Sequence, residues 1–296
     1  MNVEVDKLKS KVFWQSVGAE AVGTFILVFV GCGSCLTNEG SPILRISLTF
    51  GLVLAAIIYA IGPVSGAHVN PTVTIGMAVC RRISIIKAVF YIVAQCLGGI
   101  VGAAILYGLT PSNLKPTLLG TTSPAPNVTD GQAFGIELFI SSIFSFSVFS
   151  TTDPIHNDGS SPFVVGIVVA AIHMYAVPLT GSSLNAARSF GPALISGIWK
   201  SHWIYWFSTI LGGVVGGVLY DQAFSSRSSL RRVRKTFMGT KTRREPNLDD
   251  SIDDRDIDSY DEKSFLKEKT KTERNLPTVA EVDEVDEAIE EEQLQP

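Results

Sequence analysis

Charge is what the first 224 residues of this 296-residue chain lack: they hold ten Lys and Arg and nine Asp and Glu. The remaining 72 residues hold 14 and 19. A soluble domain carries about 25 % charged residues, so a single soluble enzyme is excluded. The net charge of −4 describes neither part. Cysteine is scarce as well, with four (Cys32, Cys35, Cys80 and Cys96), all in or beside apolar runs. A secreted disulfide scaffold packs more cysteine into less chain. Cys32 and Cys35 form a C-x-x-C with no second pair and no nearby His, so they read as small packing residues rather than a zinc or redox site. No cleavable leader is expected, because the first apolar run follows Lys7, Lys9 and Lys11 yet is long enough to cross a bilayer.

What the chain has instead is long apolar runs. About 20 apolar residues carry a helix across the hydrocarbon layer, and six stretches qualify: 14–37, 44–62, 84–109, 133–152, 162–180 and 203–224. Basic residues gather on one side of the runs: Lys7, Lys9 and Lys11 before the first, Arg81, Arg82 and Lys87 between the second and third, and eight Lys or Arg with no acid across 227–244 after the sixth. The loops at 38–43 and 110–132 hold one basic residue, Lys115. Positive charge stays on the cytoplasmic side, so both termini are expected there and loop 110–132 outside. In that loop Asn127-Val128-Thr129 is a candidate glycosylation acceptor. The organisation predicted is a cytoplasmic N-terminus (1–12), an all-α membrane domain (13–224) and a cytoplasmic tail (225–296).

The chain also repeats itself. Ser65-Gly66-Ala67-His68-Val69-Asn70 aligns with Thr180-Gly181-Ser182-Ser183-Leu184-Asn185, and a glycine follows each Asn six residues on (Gly76, Gly191). Leu97-Gly98-Gly99 matches Leu211-Gly212-Gly213, and Ile105-Leu106-Tyr107 matches Val218-Leu219-Tyr220. Each half, about 13–110 and 130–224, opens with a glutamate inside its first apolar run, Glu20 and Glu137. A unit that crosses three times and is then duplicated must be inverted in its second copy, the architecture of proteins with a central path. Gly98/Gly102, Gly212/Gly216 and Gly213/Gly217 are small-x-x-x-small pairs that let helices approach closely.

After each repeated Asn comes an apolar run too short to span, Val73–Val79 and Ala186–Ile198. These read as re-entrant half-helices entering from opposite faces, tolerated at membrane depth only inside protein or along a watery cavity. Asn is a good N-cap and Pro71 sits at the favoured first helical position. A capping Asn spends its carbonyl on the helix and leaves its NH2 free to donate. Two such N-termini also place partial positive charge at mid-membrane.

SGAHVNPTVTIG and GSSLNAARSFGPA resemble the two signature loops of the aquaporin family, and the resemblance covers essentially all of 13–224. It implies six helices plus two half-helices around one pore per subunit, a homotetramer in the plasma membrane, and passive water conduction with no cofactor, no metal and no catalysis. The usual Asn-Pro-Ala is replaced by Asn70-Pro71-Thr72 and Asn185-Ala186-Ala187. Ala186 loses proline's fixed φ but keeps high helix propensity, and Thr72 adds a hydroxyl and a branch where the two loops meet. By position the resemblance assigns Asn70 and Asn185 to the central constriction. Phe50, His173, Ser182 and Arg188 take the selectivity filter. Gly66, Ala67, Gly181 and Ser183 supply wall carbonyls, and His68 sits in the cytoplasmic vestibule. Glu20 and Glu137 are then structural carboxylates holding loop amides. Ser189 after the arginine, and Tyr205-Trp206, match water channels rather than the glycerol-conducting branch. An intramembrane arginine is costly and functional by default. The cysteine that makes many relatives sensitive to mercury is replaced by Ser182.

In the tail, 227–244 are basic with Leu230, Val233 and Phe237 interspersed, suited to the anionic inner leaflet or to a calmodulin-like partner. Ser228, Ser229 and Thr236 lie among these arginines as phosphorylation candidates. Residues 245–296 are acidic and read as disordered. Nothing points to nucleic acid. His156 with Asp153 and Asp158 reads as a solvated loop, with sensing of pH or divalent cations as the sharper reading. The functional reading is a water-selective channel. The alternatives are a broader pore for peroxide, glycerol or other small neutral solutes, and a membrane adhesion or scaffold protein with a vestigial pore.

Overall fold

The structure is a computed structural model that describes residues 8–37, 40–111, 119–153 and 159–225. The tail beyond 225, and with it the basic and acidic segments, lies outside the described residues, as do His156 and Asp158. All regular elements among the described residues are helices: α1 (Lys11–Gly33), α2 (Pro42–Ser65), α3 (Pro71–Val79), α4 (Ile85–Leu109), α5 (Asp130–Thr151), α6 (Ser161–Thr180), α7 (Ala186–Ser196) and α8 (His202–Ala223). Six are long and apolar enough to cross a membrane, and α3 and α7 are too short. Leu52, Tyr59, Phe139, Phe163, Phe207 and many other large apolar side chains are exposed on the outside of the bundle, as a hydrocarbon solvent requires.

The packing follows the internal repeat. α1 lies against α4 and α5 against α8, each pair closed by glycines. A Cβ on Gly98 would strike the Ala21 carbonyl, and one on Gly212 the Leu138 carbonyl. One turn on, Gly102 and Gly216 make the same close approach to Phe25 and Ser142. Between the halves α2 packs on α6, where Gly51 and Gly166 face each other's carbonyls. The half-helices cross over: α3 rests on α8 and α7 on α4. The all-helical, inverted-repeat architecture expected from the spacing is therefore the one observed.

One boundary moved. The second short run stops at Ser196, because Gly197 adopts a left-handed C-cap at φ 74. The first half-helix starts at Pro71 behind its cap Asn70 and ends at Val79, as the cap and the proline lead one to expect.

Candidate functional site

Both loops that precede the half-helices are built from the same parts. Gly66 and Gly181 end α2 and α6 in the left-handed region at φ 87 and 81, where a Cβ would be strained. Ala67, Val69, Ser182 and Leu184 are also at positive φ (47, 42, 50 and 57). Such loops turn their amide hydrogens inward, and a buried carboxylate collects them. Glu20 accepts from the amides of His68 (2.9 Å) and Val69 (2.6 Å), the Ser65 hydroxyl (2.7 Å) and Gln95 Nε2 (2.8 Å). Glu137 accepts from the amides of Ser183 (2.9 Å) and Leu184 (3.2 Å) and the Thr180 hydroxyl (2.6 Å). Two tyrosines, Tyr91 and Tyr205, complete the frame by donating to the Ser65 and Thr180 carbonyls at 2.8 and 2.7 Å.

Asn70 accepts from the Thr72 amide at 2.8 Å, and Asn185 from the amides of Ala187 and Arg188 at 3.0 and 3.1 Å. Their NH2 groups are not wholly free, which corrects the sequence expectation. Asn70 Nδ2 donates to the Leu184 carbonyl (2.9 Å) and Asn185 Nδ2 to the Val69 carbonyl (2.8 Å). Each amide keeps one hydrogen for another acceptor. The two N-termini therefore meet head to head and are stitched together by their own caps.

Beside this junction runs a narrow cavity. Its walls include apolar Leu27, Leu54, Phe144 and Val169, and its polar groups are Asn70, Asn185, His68, Ser183, His173 and Arg188. Phe50 also lines it, whereas Gly66, Ala67, Gly181 and Ser182 are not among the lining residues. Phe50 and His173 stack at 4.8 Å between ring centroids, and the Arg188 guanidinium lies 4.7 Å over the Phe50 ring. His173 Nδ1 lies 3.0 Å from the Val169 carbonyl, which makes Nδ1 the protonated nitrogen and Nε2 an acceptor. That Nε2, the Ser182 hydroxyl and Arg188 Nε are buried with no protein partner. Arg188 Nη1 donates to the Gly120 carbonyl (2.7 Å) and to Cys32 Sγ (3.5 Å).

Thr72 does not stand between the two loops. Its Cγ2 occupies the space over Gly213 on α8, where a Cβ would overlap it, and Thr72 is absent from the cavity wall. Ala186 starts a regular half-helix despite the missing proline. Asp153 is buried and bonded to Ser225 at 2.8 Å, so the solvated-loop reading fails for that residue. Cys32 and Cys35 are free thiols; burial pushes Cys35 up from its ordinary value. Asn127 is exposed, and Thr129 of the same triplet is the N-cap of α5.

Sequence reasoning missed five supports. Cys32 and Gly120 hold Arg188, and nothing in their spacing marks them. Thr122, which donates to Ser189 at 2.9 Å, is equally unmarked. Tyr91 and Tyr205 carried a signal: they stand 114 residues apart, the offset of the glycine motif.

A family model described as "Major intrinsic protein" matches residues 7–220. Aquaporin-4 of Mus musculus is 43 % identical over 237 residues, covering 77 % of this chain and 73 % of that protein. Aquaporin-1 of Canis lupus familiaris is 39 % identical over 236 residues, covering 75 % and 87 %. The X-ray structure of the aquaglyceroporin from Plasmodium falciparum superposes with a TM-score of 0.68 at 27 % identity, covering 74 % of this chain and 99 % of that one. With paired loops, stitched half-helices and a match across nearly the whole helical domain, the chain belongs to the major intrinsic protein family.

Proposed function

We propose that the chain is a water channel of the water-selective branch, conducting water passively along osmotic gradients while excluding protons and ions. The observation that carries this reading is the convergence of Phe50, His173 and Arg188 on the cavity, the two rings stacked and the guanidinium over the Phe50 ring. Water leaving bulk exchanges its hydrogen bonds for those of His173 Nε2 as acceptor and Arg188 Nε as donor. Deeper in the file it meets the remaining amide hydrogens of Asn70 and Asn185. Two donors hold the oxygen of a central water, so its own hydrogens point outward along the file and cannot relay a proton through it. Arg188 and the two half-helix N-termini oppose cations and hydronium. No bond is made or broken.

The altered signatures are compatible with this path. Thr72 spends its extra bulk on α8, and Asn185 still caps two amides without a following proline. The same reading places the protein in the plasma membrane with both termini cytoplasmic, as a homotetramer. Asn127 is a glycosylation acceptor. The basic tail segment contacts anionic lipid or a calmodulin-like protein.

The test is stopped-flow light scattering on proteoliposomes under a sucrose gradient, then a glycerol gradient, beside Arg188→Val. Fast shrinkage of low activation energy without glycerol entry is expected, with glycerol entering only the variant. Glycerol entry into the unmodified protein would overturn the water-selective reading in favour of a broader pore. Permeability equal to empty liposomes would leave the scaffold alternative.

A further inference from the structure

Arg188 is seated by two groups that do not line the cavity and come from distant parts of the chain. Cys32, on the last turn of α1, is fully buried, and its Sγ accepts from Arg188 Nη1 at 3.5 Å. The same nitrogen donates to the Gly120 carbonyl at 2.7 Å. Gly120 lies so close to the cysteine that a Cβ on it would stand 2.8 Å from Cys32 Cβ and 3.2 Å from Sγ. The segment that carries Gly120 is in turn laced to α7. Thr122 donates to Ser189 at 2.9 Å, and the hydroxyls of Thr121 and Ser196 lie 3.1 Å apart. Sulfur and carbonyl thus form a fixed seat for one end of the guanidinium, whose face covers the Phe50 ring at 4.7 Å. Its buried Nε keeps a hydrogen for a permeant. The matching position in the second half, 117 residues on as Glu137 is from Glu20, is Phe149, and it too holds an arginine: the Arg82 guanidinium lies 4.4 Å over its ring. One register of the repeat therefore anchors a guanidinium in each half, by sulfur in the first and by a ring in the second.

We infer that Cys32 is a positioning residue of the filter, and that its sulfur sets the size of neutral solute the filter turns away. A thiol suits this place because it packs as a small apolar group and still offers a weak acceptor. An alanine there removes both the acceptor and the bulk. Arg188 Nη1 then keeps the Gly120 carbonyl alone, and the space of the sulfur opens beside it. The guanidinium spends part of its time drawn back towards α1 and off the Phe50 ring, so the passage between Phe50, His173 and Arg188 widens. Glycerol, whose three-carbon chain the seated arginine excludes, gains entry. Loss of one hydrogen bond of ordinary strength shifts such a balance by a factor of about 2–10. A serine keeps an acceptor for Nη1 and can return its own proton along α1, as Thr24 does to the Glu20 carbonyl at 2.8 Å. Cys32 touches no permeant, so its effect passes through Arg188. This rests on the water-selective reading above.

The full chain in proteoliposomes is compared with Cys32→Ala and Cys32→Ser by stopped-flow light scattering, first under a sucrose and then under a glycerol gradient. The ratio of glycerol to water permeability is expected to rise by a factor of about 2–10 in Cys32→Ala and to stay with the unmodified chain in Cys32→Ser. A merely structural loss would lower water passage without moving that ratio. A Cys32→Ala protein that conducts water and excludes glycerol as the unmodified chain does overturns the proposal, and so does a Cys32→Ser protein that leaks as Cys32→Ala does. A second measurement reads the seat without conduction. The unmodified chain and Arg188→Val are treated with iodoacetamide, and alkylation of Cys32 is followed by mass spectrometry with Cys35 as internal standard. Cys32 is expected to be shielded in the first and alkylated several-fold faster in the second; equal rates overturn the proposal. Failure of the water-channel reading is seen separately, as an unmodified chain no more permeable than empty liposomes.

Discussion

The two halves share a frame and differ in what they mount on it. Position for position, Ser65 and Thr180, Tyr91 and Tyr205, and Asn70 and Asn185 make the same bonds at nearly the same distances. Yet the residues 115 places before Arg188 and His173 are Val73 and Ile58, and the residue 115 places after Phe50 is Val165. The second half thus carries an imidazole and a guanidinium where the first is aliphatic, and the first carries the aromatic Phe50 where the second has Val165. Duplication supplied a symmetric scaffold, and polarity was concentrated in one copy. A second asymmetry runs the other way. Glu20 has a fourth donor in Gln95, whereas Thr209, the matching residue, turns its hydroxyl back to the Tyr205 carbonyl at 2.7 Å.

The frame is broken most severely at its carboxylates. Glu20→Leu and Glu137→Leu each strand buried donors at about 1–3 kcal/mol apiece, and four donors against three make Glu20→Leu the worse. Thermal unfolding in detergent, followed by tryptophan fluorescence, ranks them; the reverse order would mean that donor number does not govern the loss. Copying the second half's charge into the first comes next. Val73→Arg brings in a cation without the Gly120 carbonyl and Cys32 sulfur that hold Arg188, at a cost of about 2.5–3.5 kcal/mol. A lowered unfolding temperature and loss of osmotic permeability are expected, and retention of both would show that the first half can carry an arginine unaided.

Smaller changes sharpen the comparison at the crossings. Gly99→Ala meets the Ala187 carbonyl at 2.7 Å, and Gly213→Ala meets both the Thr72 carbonyl at 2.8 Å and Thr72 Cγ2. Overpacking of this kind costs about 1–3 kcal/mol. Gly213→Ala is expected to be the worse until Thr72→Ala removes the methyl, after which the two alanines cost alike; a thermal-unfolding double-mutant cycle without coupling would refute this. Thr72→Ala alone leaves stopped-flow water permeability unchanged. Ala186→Pro has the smallest effect, a gain of about 0.4–1 kcal/mol from a stiffer unfolded chain. It is read as a slightly raised unfolding temperature.

Much of this was legible because it repeats. Spans, glycine seams, half-helices and paired carboxylates follow from a period near 115 residues, and a feature that occurs twice announces itself. Even the tyrosine pair was there to be found. What stayed hidden is what occurs once. Cys32 and Gly120 beside Arg188, and Ser225 on Asp153, join segments far apart in the chain through contacts with no local pattern. The direction of Thr72 was also illegible, since a branch at a loop junction can face either way and only Gly213 opposite decides it.

The crossed amide bonds carry a consequence for the birth of the protein. Asn70 finds its acceptor at residue 184, and Asn185 donates back to residue 69. A ribosome adding about 5–20 residues per second exposes the first amide on the order of ten seconds before its partner exists. During that interval the first three crossings sit in lipid with their re-entrant segment half satisfied. Neither half is therefore a finished object by itself: each re-entrant loop is completed only by a side chain of the other.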